Sequence, residues 1–179
     1  MDPELEGFLA RHTRLAEDRE VRGSGTLPLR IESYLGEADP PRSCVTSVRC
    51  LTFQSDRILL VRNPGGIHIL PGGQLNGGEG YEEALRRVLL EETGWSISNP
   101  ERIGFMHFHH LDSIPQESDD VSSDFVQLVY VSQADQHMPD AESVDDSMGS
   151  SSFEPVAEVV SLDLSRGEKL YLKFTARDL

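Results

Sequence analysis

No stretch of this 179-residue chain is long and apolar enough to cross a membrane as a helix, which takes about 20 such residues. The opening stretch, MDPELEGFLARHTRLAEDRE, is charged throughout and lacks the apolar core of a secretory signal. A soluble, cytoplasmic protein with no membrane partner is therefore expected. Cysteine is scarce, with only Cys44 and Cys50. Both fall in SCVTSVRCLTF, which reads as one strand, and six residues of strand span roughly 20 Å. That is too far for a disulfide, so two buried free thiols in a reducing compartment are expected. Lysine and arginine are missing between Ile103 and Ser165, a stretch holding thirteen Asp or Glu. With a formal net charge of -15, the chain offers no basic face to a nucleic-acid polymer. A nucleotide accompanied by a metal ion is not excluded by that charge. The chain contains no internal repeats.

What is present suits one domain with a full core. Asp2 and Pro3 suit a helix start, and Leu5, Phe8, Leu9, His12 and Leu15 form a stripe at helical spacing. This predicts a helix from Pro3 to about Arg22, with the stripe serving core or dimer packing, so a homodimer is a candidate assembly. Strands are expected at 29–35, 45–53, 57–62, 67–70, 102–111, 125–132 and 158–162. The pair 45–53 and 57–62, joined by QSD, reads as a hairpin. Gly80 to Thr93 is the strongest helix, with Ala84, Leu85, Val88 and Leu89 on its apolar side, acids in its first turn and Gly94 at its end. A last helix is expected within 166–177. Residues 112–124 read as a polar loop, and 135–152 as a mobile stretch. Residues 1–42 form a helix-and-strand extension and 43–179 the main domain, a layered α/β arrangement around one sheet.

The chemistry concentrates in GQLNGGEGYEEALRRVLLEETGW, residues 73–95. On a helix, Val88, Glu91 and Glu92 share one side, within about 100°. Two adjacent carboxylates repel unless a cation joins them, and Mg²⁺ binds through one or two carboxylates plus substrate phosphates. The carbonyls of Gly72 and Gly73 can approach the same ion because glycine carries no side chain. Glu91 and Glu92 solvating the end of an amphipathic helix is the plainer alternative for those residues alone.

The whole stretch resembles the signature of the Nudix hydrolase family (MutT-like), G-x5-E-x7-R-E-U-x-E-E-x-G-U, where U is a bulky apolar residue. Gly73, Glu79, Arg87, Leu89, Glu91, Glu92, Gly94 and Trp95 match at the right spacing, and Leu70-Pro71-Gly72-Gly73 is similar to the usual lead-in. The resemblance implies an α/β/α sandwich with a mixed β-sheet, with the family fold running over roughly residues 44–164. It also implies hydrolysis of a nucleoside diphosphate linked to another moiety, with Mg²⁺ or Mn²⁺ as cofactor. Glu91, Glu92 and the Gly72 carbonyl would hold the metal. Glu79 and Arg87 would brace the loop against the helix, and Ala84, Leu89 and Trp95 would anchor the box.

One position departs. Where the signature has glutamate after the arginine, this chain has Val88, which can neither bind metal nor activate water. Two readings follow. A working hydrolase would take its base from another loop, with Glu117, Asp119, Asp120 and Asp124 as candidates, and Glu117 and Asp120 foremost. Alternatively, the chain is a nucleotide-binding or sensing module in which Val88 extends the apolar face. His107 and His109 point to one side of their strand and His110 to the other. Arg49, Arg62 and His68, on strands near the box, are the candidate substrate contacts.

Overall fold

The computed structural model describes residues 1–22, 27–111, 123–141 and 149–176. Nine strands among these form one mixed sheet. They are β1 (Ala16–Arg22), β2 (Leu27–Leu35), β3 (Val45–Gln54), β4 (Arg57–Asn63), β5 (Gly66–His68), β6 (Gly72–Gln74), β7 (Trp95–His110), β8 (Asp124–His137) and β9 (Ser150–Pro155). Their order is β1-β2-β7-β8-β3-β4-β5, with β6 on β3 and β9 on β4. Only the β3–β8 pairing is parallel.

Side chains alternate across this sheet as a period of two requires. Val48 and Cys50 of β3, Phe105 of β7 and Val126 and Leu128 of β8 enter one core. It is completed by Leu5 and Phe8 of α1 (Pro3–Leu9) and by Ala84, Leu85, Val88 and Leu89 of α2 (Tyr81–Thr93). Leu51, Phe53, Met106, Phe108 and Val129 enter the other. That face meets Val159 of α3 (Val156–Val159) and Tyr171 and Leu172 of α4 (Arg166–Thr175). The expected α/β/α layering and mixed sheet are thus present. No helix of the described residues is long and apolar enough to cross a membrane. Both cysteines are free and buried.

Two expectations need correction. The first helix stops at Leu9, and Ala16–Arg22 is instead strand β1, paired with β2 from Ala16↔Ser33 to Arg22↔Leu27. Helical spacing over 3–15 lost to tertiary pairing. Leu15, at 49% exposure, never joins the stripe, whereas Leu5 and Phe8 are buried in the chain's own core. Asp18 also accepts hydrogen bonds from the N–H groups of Arg166 (2.9 Å) and Gly167 (2.8 Å), which secures β1 to the start of α4. Second, no strand occupies 158–162. The last strand is β9, and Pro155, with no N–H to give the ladder, ends it and starts α3.

Strands β7 and β8 are longer than their apolar runs suggest. β7 begins at Trp95, and register shifts around Asn99 and Pro100 let it pass a proline without ending. Part of the stretch expected to be mobile, up to His137, belongs to β8. Pro139–Ala141 forms a short 3-10 turn and residues 150–152 open β9, while 142–148 lie outside the described residues.

Candidate active site

The site forms where β6 is clamped between β3 and α2. Gly72 pairs with Arg49 and Gly73 with Val48. Gly72 has φ +151°, and a Cβ there would lie 2.1 Å from the Val48 carbonyl oxygen, so only glycine fits. Helix α2 starts after Gly80, whose N–H is accepted by the Glu83 carboxylate at 3.4 Å. It ends at Gly94 in the left-handed conformation, φ +69°.

Arg87 ties the loop to the helix. Its Nε donates to Glu79 Oε1 and its Nη2 to Glu79 Oε2, both at 2.8 Å. Nη2 also donates to the Gln74 carbonyl at 3.0 Å, and Nη1 to Glu91 Oε2 at 3.1 Å. Glu79 Oε2 further accepts the Asn76 N–H at 2.9 Å. The Arg87 hydrogen bonds, followed by that of Asn76, hold the Glu79 carboxyl down at about 2. The same pairing raises the Arg87 guanidinium above its ordinary value.

Glu92 reaches back to the glycine strand, where its Oε2 accepts the Gly72 N–H at 2.7 Å. Burial raises its pKa above the usual carboxylate value, partly offset by that hydrogen bond and by the charge of Arg49. Arg49 Nη1 donates to the Gly72 carbonyl at 2.9 Å, and its Nε donates to Gln127 Oε1 at 3.1 Å. Val88 is 6% exposed and belongs to the core with Leu85 and Leu89. A Cβ on Gly73 would lie 3.0 Å from Val88 Cγ1, so valine and glycine pack closely here.

On the opposite face of the sheet from α2, a cavity of about 250 Å³ opens beside Arg49, His68 and Gln127. Ile31, Met106 and Phe108 supply its apolar wall. Burial lowers the pKa of His68, and the Arg49 charge adds to this. Asn63 Nδ2 donates to His68 Nε2 at 3.2 Å.

The structure therefore brings together Glu79, Arg87, Glu91, Glu92, Gly72, Arg49 and His68. Arg62 lies elsewhere, with Nη1 on Ser152 Oγ (2.7 Å) and Nη2 on Glu154 Oε1 (3.1 Å) of β9. Glu117, Asp119 and Asp120 lie outside the described residues. Asp124 is no loop acid but the first residue of β8, 3% exposed, and its carboxylate is committed. It meets His107 Nε2 at 2.9 Å, His109 Nδ1 at 2.8 Å and Ser123 Oγ at 2.8 Å. His107 Nδ1 in turn meets Glu32 Oε2 at 3.2 Å, which makes a buried polar chain across β2, β7 and β8.

Sequence reasoning missed three things: Gln127, the grip of Arg49 on Gly72, and this polar chain. A lone glutamine in an apolar strand carries no signal. The shared face of His107 and His109 was readable, but their carboxylate partners were not.

A hard divalent cation suits the donor chemistry here. Glu91 and Glu92 each keep one carboxylate oxygen with no hydrogen-bond partner among the described residues, and such ions bind oxygen alone. The expected third ligand, the Gly72 carbonyl, already holds Arg49. No cluster of three or more His, Cys, Asp or Glu able to hold a metal occurs among the described residues. For such an ion these residues would supply only a partial shell, to be completed by waters or substrate oxygens.

Comparison with known proteins gives a consistent result. The NUDIX domain family model matches residues 45–176. A Bacillus subtilis protein, the uncharacterized Nudix hydrolase YvcI, is 27% identical over 128 residues, covering 70% of this chain and 75% of that protein. Among solved structures, a mutator MutT protein from Bacillus halodurans superposes with a TM-score of 0.52 at 24% identity, over 71% of this chain and 78% of its own. The Bacillus subtilis pyrophosphohydrolase BsRppH superposes with a TM-score of 0.53 at 18% identity, over 85% and 84%. At such identities the structural matches speak for the fold.

Proposed function

The chain belongs to the Nudix family, and from that premise we propose that it hydrolyses a diphosphate linkage in a nucleoside diphosphate derivative, using Mg²⁺ or Mn²⁺. The observation that carries this is the hydrogen bond from the Gly72 N–H to Glu92 Oε2, which sets a mostly buried carboxylate at the edge of the glycine strand. Arg87, with contacts to Glu79, Gln74 and Glu91, fixes the helix face that bears it.

Glu91 and Glu92 would hold the cation, which when bound supplies Lewis-acid polarisation and a template for attack on phosphorus. The chain's own residues do the rest. Arg49 is the only Lys or Arg among the described residues lining the cavity, so it draws the phosphates. His68, its pKa lowered by burial, presents an uncharged ring to the nucleoside. Ile31, Met106 and Phe108 keep that end of the cavity dry. The base that activates water comes from the acidic segment, with Glu117 and Asp120 as the residues to mutate first. The partner is a small molecule and the working location the cytoplasm.

The burial of Val88 favours a second reading. A valine packed on Gly73 leaves the face bearing Glu91 and Glu92 without a third carboxylate, as a nucleotide-binding or sensing module would tolerate. A hydrolysis screen over nucleoside triphosphates, nucleotide sugars and dinucleoside polyphosphates, with Mg²⁺ and with Mn²⁺, separates the two. Turnover that disappears in Glu92→Gln is the expected result. Tight nucleotide binding with no turnover on any compound would favour the sensor.

A further inference from the structure

We propose that a recess beside the first turn of α2, on the opposite face of the sheet from the cavity at Arg49, binds an aliphatic polyamine. This site stands whether or not the chain hydrolyses a nucleotide.

The recess holds about 500 Å³, within the range of small-molecule sites. Glu37 after β2, Glu82 of α2, Pro100, Glu101 and Arg102 of β7, and Tyr130 of β8 line it. Its charge is uncompensated. Arg102 is paired with Asp39. The carboxylates of Glu37, Glu82 and Glu101 have no hydrogen-bond or ion-pair partner among the described residues. In a chain of net charge -15, such acids alone would mean only a solvated surface.

Tyr130 adds a second, independent sign of a ligand. It is 5% exposed, with its ring in the core shared with α2. The charges of Arg102, Glu82 and Asp39 bear on its phenol, so the hydroxyl end faces the recess. Yet that hydroxyl has no hydrogen-bond partner among the described residues. Buried tyrosine hydroxyls usually find one. Burial pushes the phenol up to about 12, so it stays protonated and can both donate and accept.

The spacing of the acids selects an extended organic cation over a metal ion. A hard cation needs several oxygens around one point, and no cluster able to supply them occurs among the described residues. A polyamine carries its ammonium groups several bonds apart, so each can meet its own carboxylate. Its methylenes can lie along Pro100 and the Tyr130 ring, and an ammonium N–H can donate to the Tyr130 hydroxyl oxygen.

The test is calorimetric titration of the full chain with spermidine at low ionic strength. Binding of one spermidine per chain is expected, weakening as salt is raised. Tyr130→Phe removes only the hydroxyl. It should weaken spermidine about threefold or more, yet leave Tm unchanged, because that hydroxyl has no internal partner to lose. Replacing both acids, Glu82→Gln with Glu101→Gln, should weaken binding about tenfold. Glu158→Gln is the control, an exposed acid of α3 on the other face of the sheet, and should change nothing. Unchanged binding in Tyr130→Phe, or equal weakening in Glu158→Gln, would show diffuse attraction to an acidic surface and overturn the site. A lower Tm in Tyr130→Phe would reveal an internal partner for the hydroxyl and overturn it too. So would a protein that binds no spermidine, or one that binds Mg²⁺ there in its place.

Discussion

Arg87 and Glu79 meet through two parallel hydrogen bonds of 2.8 Å, a fork of guanidinium on carboxylate that joins helix α2 to the loop preceding it. Lysine cannot reproduce it. Arg87→Lys is expected to loosen the loop and lower kcat/KM by roughly 10-fold or more, since a small misplacement of a catalytic face costs rate steeply. The fork also sets a pH dependence. The folded pKa of Glu79, about 2, lies below its ordinary 4.5, so its stabilisation is complete above about pH 5. It is lost as pH falls through about 2. Thermal melts from pH 2 to 7 should show the parent and Glu79→Gln converging at the acid end.

Gly72→Ala tests the backbone clamp. The new methyl would enter the Val48 carbonyl, so strand β6 must leave β3 and carry the Gly72 N–H away from Glu92. A loss of about 2–3 kcal/mol in urea unfolding is expected, with turnover abolished. An active, fully stable Gly72→Ala protein would refute the clamp.

Glu92→Gln should separate stability from function. Burial raises the folded pKa of this carboxyl, so its charged form is disfavoured in the native state and stability falls as pH rises from 4.5 through the raised value. Removing the charge while keeping an oxygen for the Gly72 N–H should add about 0.5–2 kcal/mol at pH 7. Hydrolysis and Mn²⁺ binding should both be lost. A lower Tm in the variant at pH 7 would contradict this account.

Val88→Glu places a carboxylate in a packed position against Gly73. The expected outcome is a stability loss of about 1–3 kcal/mol from burying a polar group, read by thermal melting. With the base supplied by the segment containing Glu117 and Asp120, turnover should stay close to that of the parent. A rise of about 10²-fold would instead show that valine had removed the base.

Asp124→Asn probes the buried polar chain. Burial alone would raise the Asp124 pKa, but hydrogen bonds from His109, Ser123 and His107 outweigh it and hold the group at about 2. The variant should lose about 2–4 kcal/mol near neutral pH, because it leaves His107 and His109 facing an uncharged partner. That difference should be full above the ordinary Asp value of 3.8 and shrink as pH falls through about 2. Urea titrations at pH 2.5, 5 and 7 would measure it.

The box from Gly73 to Trp95 was readable because its logic is local. Arg87 lies eight residues from Glu79 and four from Glu91, separations that a helix and its preceding loop bring together without help. The same holds for the limits of α2, set by glycine at each end, and for the strands whose apolar alternation matches the sheet. The N-terminal strand was unreadable for the opposite reason. AEDREVR has no apolar alternation, and its conformation comes from β2 and from the start of α4, where Asp18 and Arg166 are 148 residues apart.

By itself, then, the sequence determined the family signature, the helix bearing the carboxylate pair, and the absence of a third carboxylate at Val88. Each depends on residues within a few helical turns. The tertiary structure alone decided the state of the Gly72 carbonyl. Arg49 comes from 23 residues before Gly72 and is anchored by Gln127, 78 residues beyond it, on a strand laid parallel to its own. Only the folded sheet sets that guanidinium on that oxygen, because no local spacing links three residues on separate strands.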